Sequence, residues 1–162
     1  MKIVFVKPNI FKGKSKDAME PIVFALLKTL TPATAEVELL DERVEELPDE
    51  IEADIIAFSV DSFSARRAYI LAKKYKKESN YIVMGGYHVT FEPEEALNYC
   101  DTVFVGEAEN SWPQFVTDFE AGSAKKIYRS SERSIITDIK FDDSIVKGKR
   151  YSPIIPVQFG RG

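Results

Sequence analysis

Short apolar runs rich in β-branched and aromatic residues recur at residues 3–6, 37–40, 55–60, 81–84 and 102–105. Glycine, proline or charged residues bound most of them, the pattern of strands buried on both faces. Between most of the runs the apolar spacing becomes helical. Ile22, Val23, Leu26, Leu27 and Leu30 form one face, opened by the capping-box spacing of Asp17-Ala18-Met19-Glu20 and stopped at Thr31-Pro32. After the third run, Ser62 or Ser64 can cap a helix that turns Ala68, Leu71, Ala72 and Tyr75 inward and leaves Lys73, Lys74, Lys76 and Lys77 in water. Pro93 opens a short helix through Leu97. Ser111 and Pro113 begin a last one, which carries Phe115, Val116 and Phe119 and ends at Gly122.

Strand alternating with helix predicts an α/β fold of the flavodoxin-like, doubly wound kind. Its five-stranded parallel sheet has the order 2-1-3-4-5, right-handed crossovers and ligands at the carboxyl ends of the strands. The pattern fills residues 1–128 as one domain. Residues 129–162 read as a linker, charged around Asp142-Asp143 and Lys147-Gly148-Lys149-Arg150, followed by an apolar strand at 154–159 that belongs to something further on.

Composition narrows the function. With 162 residues, 44% of them hydrophobic and 30% charged, one domain can bury a full core. A net charge of −4 supplies no basic stripe for phosphate backbones, so nucleic acid is not expected as a partner. Cys100 is the single cysteine, so this chain forms no internal disulfide and cannot hold a four-thiolate iron–sulfur cluster. The N-terminal apolar stretch is too short for a signal peptide and no run reaches membrane-spanning length, which predicts a cytoplasmic location and no membrane partner.

The candidate chemistry clusters at the strand ends: Lys7-Pro8-Asn9-Ile10-Phe11-Lys12-Gly13, Ser59-Val60-Asp61-Ser62, Gly85-Gly86-Tyr87-His88-Val89-Thr90 and Gly106-Glu107-Ala108-Glu109. Glycines there let a backbone approach a bulky ligand. The first loop has Gly13 but no G-x-G-x-x-G, which argues against NAD. It lacks the acidic pair by which a receiver domain would hold magnesium for phosphorylation at Asp61, and it is a poor phosphate loop for FMN. Each residue also has a plainer reading. His88 serves equally as a hydrogen-bonded structural residue, Ser59 as a satisfied core serine, Glu107 and Glu109 as carboxylates at a helix start, Cys100 as a small buried hydrophobe and Trp112 as core.

Taken together, Gly85-Gly86-Tyr87-His88-Val89-Thr90, Pro93-Glu94-Glu95-Ala96, Val105-Gly106-Glu107-Ala108-Glu109 and Trp112-Pro113 resemble the N-terminal domain of cobalamin-dependent radical S-adenosylmethionine enzymes. Ser59-Val60-Asp61, Asp41-Glu42 and Arg67-Ala68-Tyr69 fit the same family, so the resemblance runs to about Tyr128. Classical cobalamin domains carry D-x-H-x-x-G after the first strand. Anchored on Gly13, Pro8 and Ile10 stand at its Asp and His positions. The resemblance therefore implies the branch without that motif, with the lower base displaced and no histidine on cobalt.

It also implies cobalamin contacts from Ser59, Val60, Asp61, Ser62, Gly85, Gly86, Tyr87, His88, Gly106 and Glu107, and no catalytic residue or protein metal ligand within the chain. A barrel partner beyond residue 162 would carry a C-x-x-x-C-x-x-C motif, a four-iron four-sulfur cluster and S-adenosylmethionine for methyl transfer or related radical chemistry. On this reading the fragment alone is not an enzyme. The alternative is a non-binding scaffold of a radical enzyme, or a free-standing flavodoxin-like FMN or small-molecule domain.

Overall fold

The computed structural model describes residues 1–130, 140–154 and 156. Six parallel strands form one sheet in the order β2-β1-β3-β4-β5-β6. They are β1 (Lys2–Lys7), β2 (Glu36–Asp41), β3 (Ile55–Ser59), β4 (Tyr81–Gly85), β5 (Thr102–Val105) and β6 (Ile127–Arg129). The expected order holds for the first five, but the expected count of five is corrected by β6. This short strand pairs Val103, Phe104 and Val105 with Ile127, Tyr128 and Arg129. It escapes a reading by apolar runs because an edge strand needs only one inward side chain, here Tyr128, packed on Phe104 and Phe115.

Among the described residues five helices cover the sheet: α1 (Ile22–Thr29), α2 (Ala65–Tyr75), α3 (Tyr87–Phe91), α4 (Pro93–Ala96) and α5 (Ser111–Glu120). Two starts differ from expectation. Residues 17–20 form no capping box, because Pro21 takes the N-cap of α1 without a side-chain cap, and a proline disfavours helical backbone at the residue before it. Ser64 sits at the N-cap of α2 but does not cap through its hydroxyl. Its backbone N–H instead donates to the Asp61 carboxylate at 2.9 Å.

Period-two alternation divides the buried side chains into two layers. Val4, Val6, Ile56, Phe58, Ile82, Met84 and Val103 pack under α2, α3 and α4. Ile3, Phe5, Ile55, Ala57, Val83 and Phe104 face α1 and α5. In this second layer Trp112 is buried as the sequence predicts and donates its Nε1–H to Thr31 Oγ1 at 2.9 Å.

The boundary expected after residue 128 falls inside β6, and part of the segment beyond it lies against the domain. Ile145 and Val146, in a 3-10 turn at Asp143–Val146, join the α1 layer. The Asp142 N–H donates to the Ala25 carbonyl and the Thr29 hydroxyl. Tyr151 donates to buried Asp41 at 3.0 Å, and the Ser152 N–H to the Ala18 carbonyl. Apart from Ile154 and Pro156, the strand expected at 154–159 lies outside the described residues. Among the described residues no helix is long and apolar enough to cross a membrane.

Candidate cofactor-binding cleft

The two layers end differently at the carboxyl edge of the sheet. Under α2 and α3 the strands finish on Val6, Phe58 and Met84, all nearly inaccessible. On the α1 and α5 side the corresponding positions carry Ala57, Ser59, Gly85 and Gly106, so small side chains leave space that large ones fill on the other side. The result is a cleft of about 770 Å³, within the roughly 300–1,000 Å³ of small-molecule sites. Ile22, Val23, Leu26 and Leu27 of α1 wall it on one side, and Phe104 and Trp112 on the other.

Glycine geometry fixes the rim. Gly86 has φ +108°, and a Cβ there would lie 2.5 Å from the Val60 carbonyl oxygen, so only glycine fits the turn that brings β4 against the end of β3. The Thr90 hydroxyl donates to the Gly86 carbonyl and accepts the Gly106 N–H at 3.0 Å, which ties the β4 and β5 loops together. Glu42, 3% exposed, receives the Asn9 N–H and a bidentate pair from Arg67, while Arg43 pairs with Asp41. These buried charges pin the loop that follows β1.

Of the ten residues expected at the site, eight line this cleft: Ser59, Val60, Asp61, Gly85, Gly86, Tyr87, Gly106 and Glu107. Ser62 and His88 do not. Ser62 is exposed on the loop before α2. His88 Nε2 lies 3.0 Å from Tyr69 Oη and 3.4 Å from Glu95 Oε1, on the opposite side of the sheet. The strand-end runs contained Lys7 and Thr90 but the ten expected contacts left them out, and Phe141 and the wall supplied by α1 were missed altogether. The signal for Lys7 was available, since a charge ends an apolar strand at a position whose period-two face is that of Ile3 and Phe5.

Lys7 is the cation of this lining. Its Nζ donates to Asp61 Oδ2 at 2.8 Å and to the Ser59 carbonyl at 3.4 Å. Burial raises the Asp61 carboxyl pKa, but the Lys7 hydrogen bond and charge, with the Ser64 contacts, outweigh it and hold it below the ordinary carboxylate value. Burial and then Asp101 push the Cys100 thiol up to about 12, so this cysteine behaves as the small hydrophobe expected. No histidine or cysteine lines the cleft, and the described residues contain no cluster of three or more metal-ligating side chains.

A parallel doubly wound sheet with a roomy apolar cleft at its carboxyl edge defines a flavodoxin-like cofactor-binding domain. Residues 13–116 match the B12 binding domain family, to which the chain belongs. Bacteriochlorophyllide d C-8(2)-methyltransferase of Chlorobaculum tepidum is 31% identical over 68% of this chain and 25% of its own length. Bacteriochlorophyllide d C-12(1)-methyltransferase of the same organism is 28% identical over 88% of this chain and 33% of its own. An uncharacterized methyltransferase of Pyrococcus horikoshii is 28% identical over 78% of this chain and 31% of its own. The chain thus spans a quarter to a third of the length of these relatives.

The residues present fit cobalamin. A largely apolar cleft edged by Gly85, Gly86 and Gly106 has room for a bulky organic group of such a cofactor, while Ile10 is half exposed and lies outside its lining.

Proposed function

We propose that this chain is the cobalamin-binding module of a radical S-adenosylmethionine enzyme and holds the cofactor with its lower base displaced and no protein nitrogen on cobalt. The observation that carries the reading is the cleft between the sheet and α1, opened by Ala57, Ser59, Gly85 and Gly106 and lacking any histidine. Membership of the B12 binding domain family supports the cofactor. The names of the relatives support methyl transfer as the reaction of a longer parent.

In this module Ser59, Gly85, Gly86 and Gly106 admit the cofactor, while α1 and Trp112 exclude water from its tail. Val60, Asp61, Tyr87 and Glu107 complete the mouth. Bound cobalamin supplies a transferable methyl group; the protein supplies orientation. Phe11 and Phe63 on loops and Tyr87 and Phe91 at the ends of α3 stand 76–80% exposed. An apolar rim of this kind is suited to packing against the barrel that would carry the iron–sulfur cluster and S-adenosylmethionine. The catalytic residues belong to that partner, and the cytoplasm is the expected compartment.

Two experiments test the proposal. In a visible-absorption titration of the full chain with hydroxocobalamin, saturable one-to-one binding is expected, and no binding favours the scaffold reading. Sequencing the parent gene past Gly162 is expected to reveal a C-x-x-x-C-x-x-C motif. A long stretch without it removes the radical enzyme and leaves a cobalamin module of another kind.

A further inference from the structure

We infer that Lys7 is the anion-binding residue of the cleft and that its ammonium takes the phosphodiester of the cofactor's nucleotide tail, an assignment that rests on the cobalamin reading. Among the described residues that line the cleft, Lys7 is the one lysine or arginine, against the carboxylates of Asp61, Glu107 and Glu109. A ligand whose tail carries one negative charge needs a counter-charge on entering an apolar slot, because an unpaired buried anion is costly. Lys7 meets that need by position. It ends β1 beside Ser59, and its side chain is 13% exposed.

The ammonium has three N–H donors, and Asp61 and the Ser59 carbonyl account for two of them. Asp61 is itself held by the Ser64 N–H, so it fixes the lysine at the mouth of the cleft that both residues line. The two partners differ in exposure, the Asp61 side chain at 40% and the Lys7 side chain at 13%, so the lysine is the more deeply buried member of the pair. The end of α1 reinforces the same charge preference. Its N-cap, Pro21, has no side-chain cap, and Ile22 and Val23 of the first turn line the cleft. The first turn of α1, the positive end of its dipole, therefore borders the same cleft as Lys7.

The test compares hydroxocobalamin with cobinamide, which has the corrin ring but lacks the nucleotide and its phosphodiester. Wild-type chain, Lys7→Met and Lys7→Arg are titrated with both. Lys7→Met is expected to lose roughly ten- to a hundredfold in affinity for cobalamin, the worth of a charge-assisted hydrogen bond, and less than about threefold for cobinamide. Lys7→Arg, which keeps the charge, is expected to stay within about threefold of wild type for both. The phosphorus-31 resonance of bound cobalamin is expected to move from its free position in wild type and to return toward it in Lys7→Met.

Unchanged cobalamin affinity in Lys7→Met, or equal losses for the two ligands, overturns the assignment while leaving the cobalamin reading intact. A wild-type chain that binds neither ligand removes the reading beneath it. If Lys7→Met does not fold, wild-type affinity against salt decides: cobalamin binding that weakens with ionic strength while cobinamide binding does not supports the assignment, and equal slopes overturn it.

Discussion

The two faces of the sheet are built from the same alternating strands, yet at the carboxyl edge one stays a solid core and the other opens into a cleft. Under α2, α3 and α4 the strand ends carry Val6, Phe58 and Met84, which interlock with Ala68, Leu71, Ala72 and Val89. Under α1 and α5 the strand ends shrink to Ser59, Gly85 and Gly106, and the helices stand over space. Cores otherwise leave few voids larger than a water molecule, so a cleft of about 770 Å³ on one side only reflects small residues placed at one end of one layer. The α1/α5 face thus keeps a packed core around Phe5, Trp112 and Phe115 and opens only at its carboxyl end, where the proposed binding falls.

Substitutions on neighbouring residues of β3 should separate the two roles. Phe58→Ala, in the packed layer, is expected to lower unfolding free energy by about 3–5 kcal/mol in denaturant titration. Ser59→Leu, one residue on and facing the cleft, is expected to weaken hydroxocobalamin binding by at least about a hundredfold, since its side chain occupies ligand space. Its unfolding free energy should change by less than about 1 kcal/mol. If Phe58→Ala spares stability, or Ser59→Leu spares binding, the division of faces is wrong.

Gly85→Ala should fall between the two. The added Cβ would lie 3.3 Å from the Phe104 Cβ, a tight contact that a small shift relieves, so a loss of about 1–2 kcal/mol is expected in the same denaturant assay.

The smallest expected effect concerns pH. Because the folded Asp61 pKa lies below the ordinary carboxylate value of the unfolded chain, its contribution is present above that ordinary value and is lost as pH falls through the folded pKa. The Asp61 side chain is 40% exposed, so solvent screening is expected to keep the contribution below about 1 kcal/mol. Asp61→Asn should flatten the acid limb of a stability–pH curve by that amount, and an unchanged limb would deny the Lys7 pairing.

How much of this was legible beforehand follows the same division. The first five strands and their order were readable because β-branched runs between amphipathic helices allow few other arrangements. That the glycines and Ser59 would edge one cleft was readable because small residues end three neighbouring strands. Two elements were hidden for definite reasons. β6 is three residues long and buries only Tyr128, too little for a periodic signal. α3 is a five-residue helix with β-branched Val89 and Thr90, which reads as a loop. The role of α1 was hidden differently, since a helix face that walls a cleft carries the same leucines as one that packs a core. His88 sat in the right motif, but its side chain reaches across to Tyr69, a direction that spacing along the chain does not reveal.

Electron paramagnetic resonance of the cobalt(II) cofactor on the full chain tests the central claim most directly. The account predicts binding with cobalt hyperfine lines and no superhyperfine splitting from an axial nitrogen, because the cleft wall offers neither histidine nor a ligating side chain at the position of Ile10. A resolved nitrogen splitting in the bound state would contradict it.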